Sequence, residues 1–250
     1  MDDVHRVTRR GSWRLTLLAW SAWLMAAWGL TLASSSVVPG TRWMVFAAAI
    51  GLMGVWPAVR LSLASRGPGS TSRPWAAARN AASDWLAMVI LLQMVIWPLW
   101  LAGGKWTLVG GPQVFATRWS AAQTGAISAT LVSWSAVTAW LVAWGGVRGT
   151  RGAATLAMAG CLLLMIGGPV IHAMMTAMGV GPVVEARGFG PVATLWALTQ
   201  AKADVVVARY LPGIAATALA ALVGWIGLIV VSRLLRRPAP SSVTPAAARP

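Results

Sequence analysis

The chain carries few side chains that can do chemistry, and their types exclude more than they suggest. There are five carboxylates in 250 residues: Asp2, Asp3, Asp84, Glu185 and Asp204. Asp84 opens an apolar run and Glu185 falls in a loop, so none sits in the middle of a long apolar stretch. Proton- and sodium-driven carriers commonly use intramembrane acids or paired broken helices, and neither pattern appears. The histidines are His5 and His172, which leaves no paired axial ligands for a b-type haem within this chain. Cys161 is the one cysteine, which rules out a disulfide framework and a thiolate metal site. No G-x-S-x-G is present, and Gly103-Gly104-Lys105-Trp106 does not complete a phosphate-binding loop. The expectation is a protein without its own catalyst, cofactor, metal or energy source. Hydroxyls remain: Ser120, Thr124, Ser128, Ser135 and Thr138 recur at helical spacing and share one stripe. Two readings stay open. The stripe is a helix-packing seam joined by small residues and hydrogen bonds, or Ser128, Ser135 and Thr138, with His172, line a polar pathway. Gln93 and Gln123 need partners at span depth.

The elements that position these residues follow from composition. Hydrophobic residues make up 58% and charged residues 10%, against about 25% charged in a soluble domain. The mean hydropathy is +0.69. This is an all-α, polytopic integral membrane protein. A net charge of +15 could indicate nucleic acid, but no basic patch is interleaved with aromatics. The basic residues cluster between apolar runs, where membrane lipid headgroups receive them.

Charge-free runs place six spans near 15–36, 43–63, 85–102, 120–145, 153–177 and 210–233, each long enough to cross about 30 Å of hydrocarbon. Arg60 then has to snorkel toward the headgroups from the second span. With alternating sides, fourteen of the twenty basic residues fall on the side of the termini and six on the other. The positive-inside rule makes both termini cytoplasmic and places the chain in an inner, cytoplasmic membrane. The paired arginines of TRRGSW resemble an export signal, but the apolar run behind them is longer than a signal core and reads as a first span. Pro57, Pro98 and Pro169 each remove a ladder bond, and Gly167-Gly168-Pro169 marks the deformable point of the fifth span.

Three parts lie outside the spans. Residues 1–14 form a basic N-terminal segment ahead of the span domain 15–237, and 238–250 has the composition of a disordered tail. Between spans two and three, SRGPGSTSRPWAAARNAASDW holds a short helical patch. It is an ordinary loop, or a docking helix pressing Trp75 and Arg79 on a cytoplasmic partner. Between spans five and six, GFGPVATLWALTQA is apolar yet reaches only about 21 Å. It is an amphipathic surface helix anchored by Trp196, or a re-entrant one. In the re-entrant case Gly188 and Gly190 make the tight entry and Pro191 starts the helix. Leu195, Trp196 and Leu198 then pack against the fifth and sixth spans, while Thr194 and Gln200 face a polar outer cavity.

Together these features resemble the membrane subunit of a type 2, exporter-like ABC transporter. The points of similarity are the basic start DDVHRVTRRGSWR, the loop helix RPWAAARNAASD, the short helices of GFGPVATLWALTQAKADVVVARY and a final span ending in SRLLRR. The resemblance implies a permease that forms the substrate pathway. It would pair with a second permease chain, as a homo- or heterodimer, and a separate cytoplasmic subunit would hydrolyse ATP. The alternative is a non-catalytic anchoring subunit of a respiratory or photosynthetic complex, motivated by seventeen tryptophans and extensive apolar surface.

Overall fold

The charge-free runs form helices, as they must wherever backbone polar groups leave water. The computed structural model describes residues 2–33, 37–64, 74–101, 119–148, 150–179, 190–200 and 204–234. Among them there is no strand. The helices are α1 (Asp2–Ala33), α2 (Val37–Ile50), α3 (Trp56–Ala64), α4 (Pro74–Leu101), α5 (Ala121–Arg148), α6 (Arg151–Ala177), α7 (Pro191–Gln200) and α8 (Asp204–Leu234). A π turn over Gly51–Val55 joins α2 to α3 without a break.

Among the described residues, four stretches are long and apolar enough to cross a membrane: Arg42–Leu63, Ala121–Gly146, Arg151–Ala177 and Val207–Val231. The apolar part of α4, Ala81–Trp97, is shorter. α1 carries six charges before Leu15.

Two expected boundaries change. The basic segment is not separate from the first run, since α1 begins at Asp2. Nor is the patch at 74–82 a helix of its own; it forms the first turns of α4. The physical reason is that Pro74 suits a first helical position, and the alanine-rich WAAARNAASD offers nothing that would stop the helix. The loop at 65–73 and the tail at 238–250 lie outside the described residues.

Several starts are built locally. Ser120 and Gln123 form a reciprocal capping box at α5: the Gln123 N–H donates to Ser120 Oγ at 3.1 Å, and the Ser120 N–H donates to Gln123 Oε1 at 3.0 Å. Thr150 caps α6 by accepting from the Ala153 N–H. The break expected from Pro57 is the π turn itself, whose widened loop takes up a proline ring that would otherwise meet the carbonyl four residues back. At Gly51 the turn meets α1 so closely that a Cβ would fall 2.4–2.5 Å from the rings of Trp20 and Trp23. Trp23 Nε1 donates to the Ala47 carbonyl at 2.6 Å.

α5 is the centre of the bundle, packed by α4, α6, α7 and α8. Of its membrane-length stretch 72% is buried, against 22% for α6 and 17% for α8. The main core joins Trp20 and Leu24 of α1, Leu52, Met53 and Trp56, Met88 and Leu92 of α4, Ile127 and Leu131 of α5, and both leucines of α7.

Candidate functional site

The predicted hydroxyl stripe lies on the buried face of α5: Thr124, Ser128, Ser135 and Thr138 are all buried, with Thr130 and Ser133 beside them. Most of these hydroxyls bond to their own helix. Thr124 donates to the Ser120 carbonyl at 3.1 Å, Thr130 to Ala126 at 2.7 Å and Thr138 to Trp134 at 2.9 Å. Two reach across to α4. Ser128 Oγ donates to Gln93 Oε1. Trp85 Nε1 donates to Ser135 Oγ at 2.8 Å, while that hydroxyl donates to the Val132 carbonyl at 2.7 Å. From the other side, Trp225 Nε1 of α8 donates to the Ala136 carbonyl at 3.1 Å. In this arrangement the stripe is a seam that ties α4 and α8 to α5. Gln93 Nε2 is buried with no acceptor among the described residues, as is the Trp140 Nε1 of α5. An unmet buried donor costs about 1–3 kcal/mol.

The short helix α7 ends up in the core. Gly190 takes φ +98°, a conformation natural to glycine. A Cβ there would lie 2.9 Å from the Leu164 carbonyl of α6. Pro191 is the first helical residue, and its missing N–H is one the helix start does not use. Leu195 and Leu198 are completely buried. At the other end, two side chains reach the last carbonyls of the helix, which its own turns leave unpaired. Gln123 Nε2 of α5 donates to Leu198 at 3.3 Å, and Arg42 Nε of α2 donates to Thr199 at 3.3 Å. The guanidinium charge also complements the negative end of the helix dipole.

Two expected placements on α7 are corrected. Trp196 does not pack into the fifth and sixth spans. It is 53% exposed, with its ring tilted on Phe46 of α2 at 5.6 Å, and Phe46 meets Trp43 edge-on at 6.4 Å. Thr194 does not face a cavity; it is buried and donates to the Gly190 carbonyl at 3.0 Å. The reason for both is helical phase. The leucines at 195 and 198 share one face, and the ring between them points away from it.

Arg60 is likewise not snorkelling. It pairs with Asp84, which is buried in the third turn of α4, so this aspartate holds the end of α3 against α4. Arg79 is exposed on the first turns of α4. Trp75 lies on those same turns and His172 on α6, but both side chains, and Gly188 entirely, lie outside the described residues. Among the described residues no three of His, Cys, Asp and Glu come together. What the site offers chemically is hydroxyls, two amides and indoles around a short buried helix.

Sequence reasoning noted that Gln93 and Gln123 needed partners, but it missed Arg42 and the Arg60–Asp84 pair. Partners 157 and 24 residues apart leave no local signal. The arrangement defines an all-helical protein with several helices of membrane-spanning character. Compared with known protein families, curated proteins and solved structures, the chain matches none.

Proposed function

We propose that this chain is a six-span permease subunit with both termini cytoplasmic, forming a substrate pathway powered by a separate ATP-binding chain. The observation that supports it best is α7. Its start lies against Leu164, about 20 Å along α6 from the end of that helix at Ala177. Its carbonyl end meets the starts of α2 and α5 through Arg42 and Gln123. These contacts support reading α7 as a re-entrant helix that would enter from the outer side and close that end of the bundle. Buried this way, its backbone is shielded as membrane depth requires.

On this reading α7 is the movable plug, and Gly190 and Gly167-Gly168-Pro169 are its deformable contacts. Displacing α7 would uncover the face of α5 that it packs against, and Ser128, bonded to Gln93, would supply a polar contact further along that helix. With no nucleotide-binding motif in the chain, the energy has to come from a partner bearing on the first turns of α4, with Trp75 and Arg79. The mostly exposed apolar faces of α6 and α8 favour pairing with a second permease chain. They also fit the alternative, an anchoring subunit inside a larger respiratory or photosynthetic complex.

Affinity purification from native membranes, followed by identification of co-purifying chains and an ATPase assay, tests the proposal. The expected result is a nucleotide-binding subunit whose hydrolysis is lost in the double variant Trp75→Glu, Arg79→Glu while membrane insertion persists. Recovery with redox subunits and a cofactor absorbance spectrum would instead establish the anchoring role.

A further inference from the structure

On the side of the bundle where α3 ends and α6 begins, an open groove of about 490 Å³ runs between these two helices. Its α3 wall is Ala58, Leu61 and Ser62; its α6 wall includes Arg151, Thr155, Met158 and Leu162. Below it, Leu61, Val142 and Ala157 close the packing of α3, α5 and α6, so the groove has an apolar floor.

The polar and apolar parts of the groove are segregated. The four α6 residues are spaced by four, three and four, so they follow one helix face. Arg151 begins that face and Leu162 ends it, about 16 Å further along. That is close to half of a hydrocarbon core of about 30 Å, or one acyl leaflet. Two hydroxyls, Ser62 and Thr155, sit near the charged end. Arg151 is exposed and forms no ion pair among the described residues. Asp84 is held by Arg60. An exposed cation with no ion-pair partner among the described residues, above an apolar trough one leaflet long, is complementary to an anionic lipid.

We infer that the α3–α6 groove binds one anionic diacyl phospholipid, its phosphate on Arg151 and one acyl chain lying along Met158 and Leu162. The inference does not depend on the transport reading and needs only that these helices sit in a bilayer.

Native mass spectrometry of the full chain tests it, in detergent containing equal amounts of dioleoyl phosphatidylglycerol and dioleoyl phosphatidylcholine. The expected result is one tightly held lipid, with phosphatidylglycerol preferred about fivefold, the effect of one arginine near a membrane surface. Arg151→Gln should remove the preference, whereas Arg233→Gln, an exposed arginine on α8, should keep it. Ala159 also lines the α6 wall; Ala159→Phe fills the groove and leaves Arg151 in place, and should lose the retained lipid while eluting as a monodisperse protein. Glycerophosphoglycerol, which has no acyl chains, should not displace it. Equal loss of preference in both arginine variants would mean a general surface-charge effect and overturn the site. So would retention of the lipid in Ala159→Phe, or its displacement by glycerophosphoglycerol.

Discussion

Asp84 and Arg60 make the sharpest single-residue test of the structure. Asp84 is buried and its partner arginine is largely covered, so removing one partner leaves a charge stranded in a poorly solvated place. Breaking such a pair costs about 3 kcal/mol or more. Asp84→Asn should therefore lower the thermal midpoint strongly, and Arg60→Gln added to it should lower it little further. Thermal unfolding of the two single variants and the double variant gives the coupling directly; additive losses would show that the two groups do not act as a pair. Gly190 gives a second test. Alanine there combines a left-handed backbone, worth about 1–2 kcal/mol for an ordinary residue, with a carbon driven against the Leu164 carbonyl. Gly190→Ala should destabilise the protein by at least that much in the same measurement.

At the scale of elements, α7 presents two kinds of surface within four residues. Leu195 and Leu198 are enclosed, and Trp196 is open. Spin labels at these positions in a Cys161→Ser background should report this by relaxation. Labels at 195 and 198 should be shielded from both oxygen and a water-soluble nickel reagent, and a label at 196 should be accessible to oxygen. Arg42→Gln removes the charge from the carbonyl end of α7 and should increase label mobility at 198. How much of this could be read in advance depended on the kind of signal. Long apolar runs flanked by arginines announced the helices, because burying a charge in hydrocarbon is costly over a whole span. Gly190-Pro191 announced the start of α7 by its turn chemistry. Hydropathy marks where a span should end, however, and not where a helix ends. That is why α1 and α4 continue beyond their apolar parts, through DDVHRVTRR and PWAAARN. The face of α7 that turns inward, and the Arg42 and Gln123 contacts, depend on helices far apart in the chain, and no local pattern encodes them.

For the whole molecule, the contrast between a covered α5 and open α6 and α8 separates the part that holds the bundle together from the part that meets its surroundings. The proposed topology carries its own check. In a Cys161→Ser background, cysteines at Thr8 and Ser241 should react with an impermeant thiol reagent only after the cytoplasmic side is opened. A cysteine at Lys202 should react from outside in intact cells. Labelling of Thr8 and Ser241 from opposite sides would require an odd number of crossings and remove the six-span reading.

The π turn at Gly51–Val55 is a register reservoir. Five residues at about 4.4 per turn sweep nearly the angle that four sweep at 3.6, so the turn absorbs one residue and leaves the helix beyond it in phase with the helix before. The two halves meet different neighbours: Trp23 and Trp196 contact α2, and Asp84 and α6 contact α3. Gly54 is partly exposed and has open space around it, so its deletion should let the segment run on as plain α-helix with Arg60 still facing Asp84 and Leu61 still against Val142 and Ala157. Thermal unfolding of this deletion should show a much smaller loss than Asp84→Asn; a loss as large would mean that the register beyond the turn had slipped.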